Sequence, residues 1–73
     1  MELISVSIPA DSNIIGKRLN EIELPPNSFI TLIVKRSGAT LPTARSVVEP
    51  EDELVAVTQE GDEQILYDIL TGV

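Results

Sequence analysis

Polar and apolar residues alternate along the first part of the chain. Ile4, Val6 and Ile8 fall on one face of an extended segment over residues 2–9, and serines occupy the positions between them. A period of two with β-branched residues is typical of a strand that is buried on one side. Pro9 ends the pattern, so the sequence predicts a first, half-buried strand here.

Three more strands are predicted further along. Residues 28–36 and 53–58 are largely apolar on both faces, which is typical of central strands buried on both sides. Residues 39–42 form a short returning strand, and Pro42 cannot donate to a ladder, so this strand should lie at a sheet edge.

A short helix is predicted between the first two strands. Ile15, Leu19 and Ile22 share one helical face, and Ser12 or Asn13 can cap the start. Pro25 disfavours a helical conformation at the residue before it, so this helix should not extend past Leu24.

A second helix closes the chain. Gly61 and Asp62 start it, Gly72 ends it, and its apolar stripe is Ile65, Leu66, Ile69 and Leu70. The expected order is β-α-β-β-β-α. The fold class is therefore α+β, with a small mixed or antiparallel sheet and two short helices, in a single domain over residues 1–73.

Composition narrows the function. A domain of 73 residues has a small core and needs additional stabilisation. Because the chain has no Cys and no His, it can form neither disulfides nor a usual zinc site. A homodimer or larger assembly is therefore favoured. A net charge of −7 disfavours nucleic acid as a partner. No apolar run could insert in a membrane and no signal peptide is recognisable, so a cytoplasmic location is expected.

No arrangement of residues indicates catalysis, a cofactor or a metal. The densest acidic cluster is Glu49, Glu51, Asp52 and Glu53, which could bind a divalent cation but has no known loop spacing and is better explained as a solvated turn. Gly16-Lys17 lacks the spacing of a phosphate loop. Lys35, Arg36 and Arg45 are too scattered to indicate an anion site with any strength.

Five segments of the chain form a recognisable series. They are the glycine-containing helix, the proline turn, the strand ending in Arg-Ser-Gly, the Leu-Pro pair, and the acidic turn with its strand: Ile15–Ile22, Leu24–Ser28, Ile33–Ala39, Leu41–Pro42 and Val48–Val57. In this order they resemble the TrkA C-terminal (RCK C-terminal) domain of potassium-transport regulators. One departure is Glu51, where the family usually has glycine; we expect a turn without positive φ there. Gly16 is expected to allow close packing of the short helix.

The resemblance implies a regulatory module and not an enzyme. In the family, this domain follows a nucleotide-binding domain, pairs across a two-fold axis and binds a small molecule at the pair's interface, which controls a potassium channel or transporter in the membrane. On this basis we expect Ile15, Phe29 and Arg36 to lie near the interface as ligand-binding residues.

Members that sense cyclic diadenosine monophosphate carry an acid, then Arg two residues later, then Asn opening the next strand. Here Glu23 is followed by Pro25 and the strand opens with Ser28, so a charged partner for that ligand is missing. Two other functions remain open: a ubiquitin-like sulfur carrier, which the missing C-terminal Gly-Gly disfavours, and a purely structural dimerisation module.

Overall fold

The computed structural model describes residues 1–73 and contains one antiparallel sheet with one α-helix. The elements in chain order are β1 (Glu2–Ser7), a 3-10 helix (Leu19–Glu21), β2 (Phe29–Lys35), β3 (Gly38–Thr40), β4 (Glu53–Thr58) and α1 (Glu63–Thr71). The strand order across the sheet is β1-β4-β2-β3, so the last strand in sequence lies between the first two. The α+β class and the predicted strands and last helix are confirmed.

One face of the sheet carries the core. Nine buried aliphatic residues form it, with strand residues below and α1 and two loop segments above: Val6, Ile8, Ile14, Ile33, Val48, Leu54, Ala56, Leu66 and Leu70. The helix α1 packs over β1. None of the helices has the length and apolar character that crossing a bilayer requires.

The prediction of a short α-helix between β1 and β2 is wrong. Residues 13–16 form turns and only Leu19–Glu21 is helical, as a single 3-10 turn. The reason is that Gly16 has φ +84°, which a right-handed helix cannot contain. Residues 16–20 instead bond to residues 44–48; the N–H of Gly16 donates to the carbonyl of Val48 over 2.8 Å.

The role expected of Gly16 is also corrected. A Cβ built there would meet no atom within 4 Å, so glycine is needed for its positive φ and not for close packing. The expectation that the turn at Glu51 has no positive φ is wrong, because Glu51 has φ +70°. The turn before β4 has the conformation for which glycine is best suited, although this chain places glutamate there.

Burial of the central strands on both faces is not observed. In β4, Leu54 and Ala56 are buried, but Val55 and Val57 on the other face are only half-buried. A chain of this length has one α-helix and two loops to cover its sheet, and all of them lie on the same side. Ile65, which belongs to the predicted apolar stripe of α1, is 52% exposed. The helix contacts the core through Leu66 and Leu70 instead.

Candidate functional site

An open groove of about 290 Å³ runs beside the first half of β2. We call it the β2 groove, and nine residues line it: Leu19, Asn20, Leu24, Ser28, Phe29, Ile30, Pro42, Thr43 and Ala44. It exists because β3 pairs only with Ile33–Lys35, so residues 29–32 have no neighbouring strand on that side. The chain leaves β3 and returns as the opposite wall of the groove.

Backbone hydrogen bonds hold the two loop walls together. The N–H of Leu19 donates to the carbonyl of Ser46 over 2.9 Å, and that of Asn20 to the carbonyl of Ala44 over 3.0 Å. A further isolated bridge joins Arg18 and Val47. These contacts position segments that are far apart in sequence, so the groove is built by the tertiary fold.

The groove is mostly apolar and carries no charged side chain in its lining. Its polar groups are Asn20, Ser28 and Thr43. The Ser28 hydroxyl is already engaged, 2.7 Å from Thr58 Oγ1 in a buried pair, whereas the Asn20 side chain is exposed and makes no hydrogen bond to protein. An apolar concavity with a few polar groups is the usual form of a small-molecule site.

A charged cluster lies at the other end of β2. Lys35 Nζ donates to Asp52 Oδ2 over 2.7 Å and to Glu49 Oε1 over 2.8 Å. Asp52 is buried and also accepts the backbone N–H of Glu49 over 2.9 Å. Burial lowers the pKa of Lys35, but its hydrogen bonds and charge interactions with Asp52 and Glu49 outweigh burial, so this pKa is raised.

Most of the acidic side chains in residues 49–53 have a structural role in this cluster or beside it. Asp52 bonds backbone within its own turn, as expected for Asp in a tight turn, but it is buried and not solvated. Glu53 accepts a hydrogen bond from the Ser5 hydroxyl. No group of three acidic side chains in the chain has an arrangement suited to a metal ion.

The structure does not bring the three expected site residues together. Phe29 lines the β2 groove and is 60% exposed. Arg36 is exposed in the turn after β2, about 20 Å along the strand from Phe29. Ile15 is half-buried and packs against the core without lining the groove.

Sequence reasoning missed the rest of the groove lining. Leu24 was assigned to a turn and Pro42 to a strand end, and Ala44 was given no role, because nothing in the local sequence around each residue indicates a binding site. The one available signal was Pro42, which ends a short edge strand and leaves the neighbouring strand uncovered.

Comparisons with known proteins agree with the fold. The family model of the TrkA-C domain matches residues 3–71. Among solved structures, an RCK domain described as "with cda" has a TM-score of 0.82 at 11% identity, with 96% of this chain and 99% of that chain covered. The RCK_C domain dimer of S. agalactiae BusR in complex with c-di-AMP has a TM-score of 0.75 at 21% identity, with 93% and 92% covered.

No curated protein matches the sequence. The structural likenesses are at low identity and concern the fold. The family match covers nearly every residue that builds the sheet, the groove walls and α1. The chain therefore belongs to the TrkA-C domain family.

Proposed function

We propose that this chain is a regulatory ligand-binding domain that acts as a homodimer or larger assembly and controls a potassium channel or transporter. The observation that carries the proposal is the β2 groove, a ligand-sized apolar concavity in a TrkA-C domain. Its role is binding and not catalysis. We place it on the cytoplasmic side of the membrane protein that it controls.

Phe29 is proposed as the main ligand contact, because its ring is exposed at the groove. The uncharged lining favours an uncharged ligand or portion of a ligand. BusR binds c-di-AMP in its RCK_C dimer. For this chain an anionic dinucleotide is disfavoured, since no Lys or Arg lines the groove and Pro25 stands where that class carries Arg.

Pairing of two copies is supported by what the single chain leaves uncovered. The core has nine buried apolar residues, and the second sheet face exposes Val55 and Val57 in part. Ile15 and Arg36 stay a prediction for the seam of the pair. Regulation then requires that ligand binds more tightly to one arrangement of the assembly than to another, which shifts the membrane subunit between states.

The sulfur-carrier alternative needs a free, extended C-terminal segment. Here α1 extends to Thr71, and the carbonyl of Gly72 accepts the N–H of Asn13 over 2.6 Å. The last residues are therefore held against the body of the domain, which does not support that alternative.

The test is a thermal-shift screen of adenosine, other neutral nucleosides, c-di-AMP and divalent cations, followed by calorimetry. We expect a neutral compound to raise the Tm, and Phe29→Ala to weaken its binding by about tenfold or more. Leu41→Ala is the matched control, because Leu41 is 82% exposed next to the groove without lining it. Absence of any stabilising compound would instead favour the purely structural dimerisation module.

A further inference from the structure

The polar side chains of the β2 groove differ in whether they are free to bind a ligand. The Ser28 hydroxyl lies 2.7 Å from Thr58 Oγ1 in a buried pair. Thr43 Oγ1 accepts the backbone N–H of Arg45 over 3.2 Å. Asn20 lines the same groove, and its exposed side-chain amide makes no hydrogen bond within the protein. Asn20 therefore supplies the free hydrogen-bonding side chain of the lining.

The backbone that carries Asn20 is fixed, although its side chain is free. The N–H of Asn20 donates to the carbonyl of Ala44 in the facing loop over 3.0 Å. The N–H of Glu21 donates to the carbonyl of Arg18 over 2.9 Å, and the Glu21 carboxylate accepts the N–H of Arg18 over 2.8 Å. Only the side-chain torsions of Asn20 remain to be ordered by a ligand, so the entropic cost of using this amide is small.

The side chain of Asn20 is a primary amide, which presents an acceptor oxygen and a donor NH2 group side by side in one plane. A ligand satisfies both groups at once only if it carries a donor next to an acceptor in the same plane. No charged side chain lines the groove, so a charged ligand edge would lose water there without gaining an ion pair. The complementary edge is thus an uncharged carboxamide or lactam, with an N–H beside a C=O.

The rest of the lining suits a flat apolar body behind that edge. Leu24, Ile30 and Pro42 contribute apolar walls, and the Phe29 ring is exposed at the groove. A second aromatic ring packs against a phenylalanine ring in an offset or edge-to-face arrangement, which contributes beyond the burial of apolar area. The volume of about 290 Å³ accommodates a small aromatic ligand.

We propose that the β2 groove selects a small, uncharged aromatic carboxamide or lactam, and that Asn20 is the residue that determines this specificity. The aromatic ring contacts Phe29, while the ligand N–H donates to the Asn20 side-chain oxygen and the ligand carbonyl accepts from the Asn20 NH2 group. A site that hydrogen-bonds a ligand in this way rejects analogues that lack one of the groups, because a protein group is then left unpaired. The inference rests on the proposed function, in which the β2 groove is the ligand site.

Benzamide, acetophenone and benzamidine are suitable probes, because they have nearly the same size and shape. Benzamide has an N–H beside a C=O, acetophenone has a methyl group in place of the NH2 group, and benzamidine is a cation whose edge has donors only. Each compound is titrated into the whole chain and followed by NMR of the backbone amides and of the Asn20 NH2 group. We expect benzamide to shift the amides of the groove lining and to bind at least about tenfold more tightly than either other compound.

Asn20→Asp is the diagnostic variant and Ser37→Asp is its matched control. The carboxylate in Asn20→Asp has acceptors only, so benzamidine should bind this variant at least about tenfold more tightly than benzamide does. Ser37→Asp adds the same charge in the exposed turn between β2 and β3, outside the groove lining, and should keep the preference for benzamide. Asn20→Ala removes both hydrogen-bonding groups and should bind benzamide and acetophenone equally.

Two results would overturn the inference while leaving the groove as a ligand site: equal binding of benzamide and acetophenone to the wild-type chain, or a preference for benzamide that Asn20→Ala retains. The absence of any groove shift with benzamide would also overturn it, and the thermal-shift screen then decides separately whether the groove binds other ligands. Backbone amides outside the groove report whether each variant keeps the fold. If Asn20→Asp unfolds, Asn20→Ala decides.

Discussion

The Ser12 hydroxyl donates a 2.7 Å hydrogen bond to the backbone carbonyl of Leu70, 58 residues later in the chain. The last carbonyls of an α-helix have no partner within the helix, so this bond satisfies one of them at the buried end of α1. The N–H of Asn13 does the same for the carbonyl of Gly72. Either residue was expected to cap the start of a helix; Ser12 instead bonds the end of α1, and Asn13 bonds the residue that follows α1.

Ser12→Ala should destabilise the domain. Removing the hydroxyl leaves the buried carbonyl of Leu70 without its partner, so the free energy of unfolding in urea should fall by about 1–2 kcal/mol. Ser37→Ala removes an exposed hydroxyl that makes no hydrogen bond within the protein and should change stability little. Equal stability of the two variants would contradict this role of Ser12.

The buried hydroxyl pair of Ser28 and Thr58 should show strong coupling. Thr58→Val leaves the Ser28 hydroxyl buried without a partner and should cost about 1–2 kcal/mol. Adding Ser28→Ala removes the unpaired group, so the double variant should recover much of that loss. A double-mutant cycle from denaturant unfolding measures this, and strict additivity would show that the pair does not interact.

Lys35→Met should lower stability by about 1–3 kcal/mol near neutral pH, because it leaves the buried carboxylate of Asp52 without its cation. The pKa of Lys35 is raised in the folded chain, so its contribution is full below the unfolded value of about 10.4 and is lost as pH rises through the folded value. The stability difference between wild type and Lys35→Met should thus stay nearly constant from about pH 6 to about pH 9 and shrink as the pH rises above the unfolded value.

The control for this pH series is Lys17→Met, which removes an exposed lysine with no ion pair. Its stability difference from wild type should be small at all of these pH values. A loss for Lys35→Met that persists unchanged into strong base would show that packing of the side chain, and not its charge, is responsible.

Glu51→Gly should stabilise the domain. Glu51 has φ +70°, a conformation that costs a residue with a Cβ about 1 kcal/mol, and glycine adopts it freely. The larger freedom of glycine in the unfolded chain offsets part of this, which leaves an expected gain of about 0.5 kcal/mol. Glu60→Gly removes the same charge in a turn where φ is not positive, and it should give no gain.

Local patterns predicted the strands well for a physical reason. Alternation and β-branched residues act through neighbours in the chain, so the predicted range 28–36 differs from β2 (Phe29–Lys35) by one residue at each end. The last helix was predicted with the same accuracy. The short helix failed because its apolar spacing was real but Gly16 and the hydrogen bonds to residues 44–48 overrode it.

The groove was less accessible to sequence reasoning. Of the expected ligand residues only Phe29 lines it, since the lining comes from three segments that meet only after the sheet has formed. The absence of charge in this lining is a property of their combination, and no single segment shows it.

The amino-acid sequence by itself determined the α+β class, the strands, the last helix, the family and the lack of a Cys or His site, because each depends on residue type and short-range order. Only the tertiary structure decided that β4 lies between β1 and β2, that one sheet face stays open, and that β1 has a free edge. These depend on which distant backbone groups find partners, and such pairings are set by the fold as a whole.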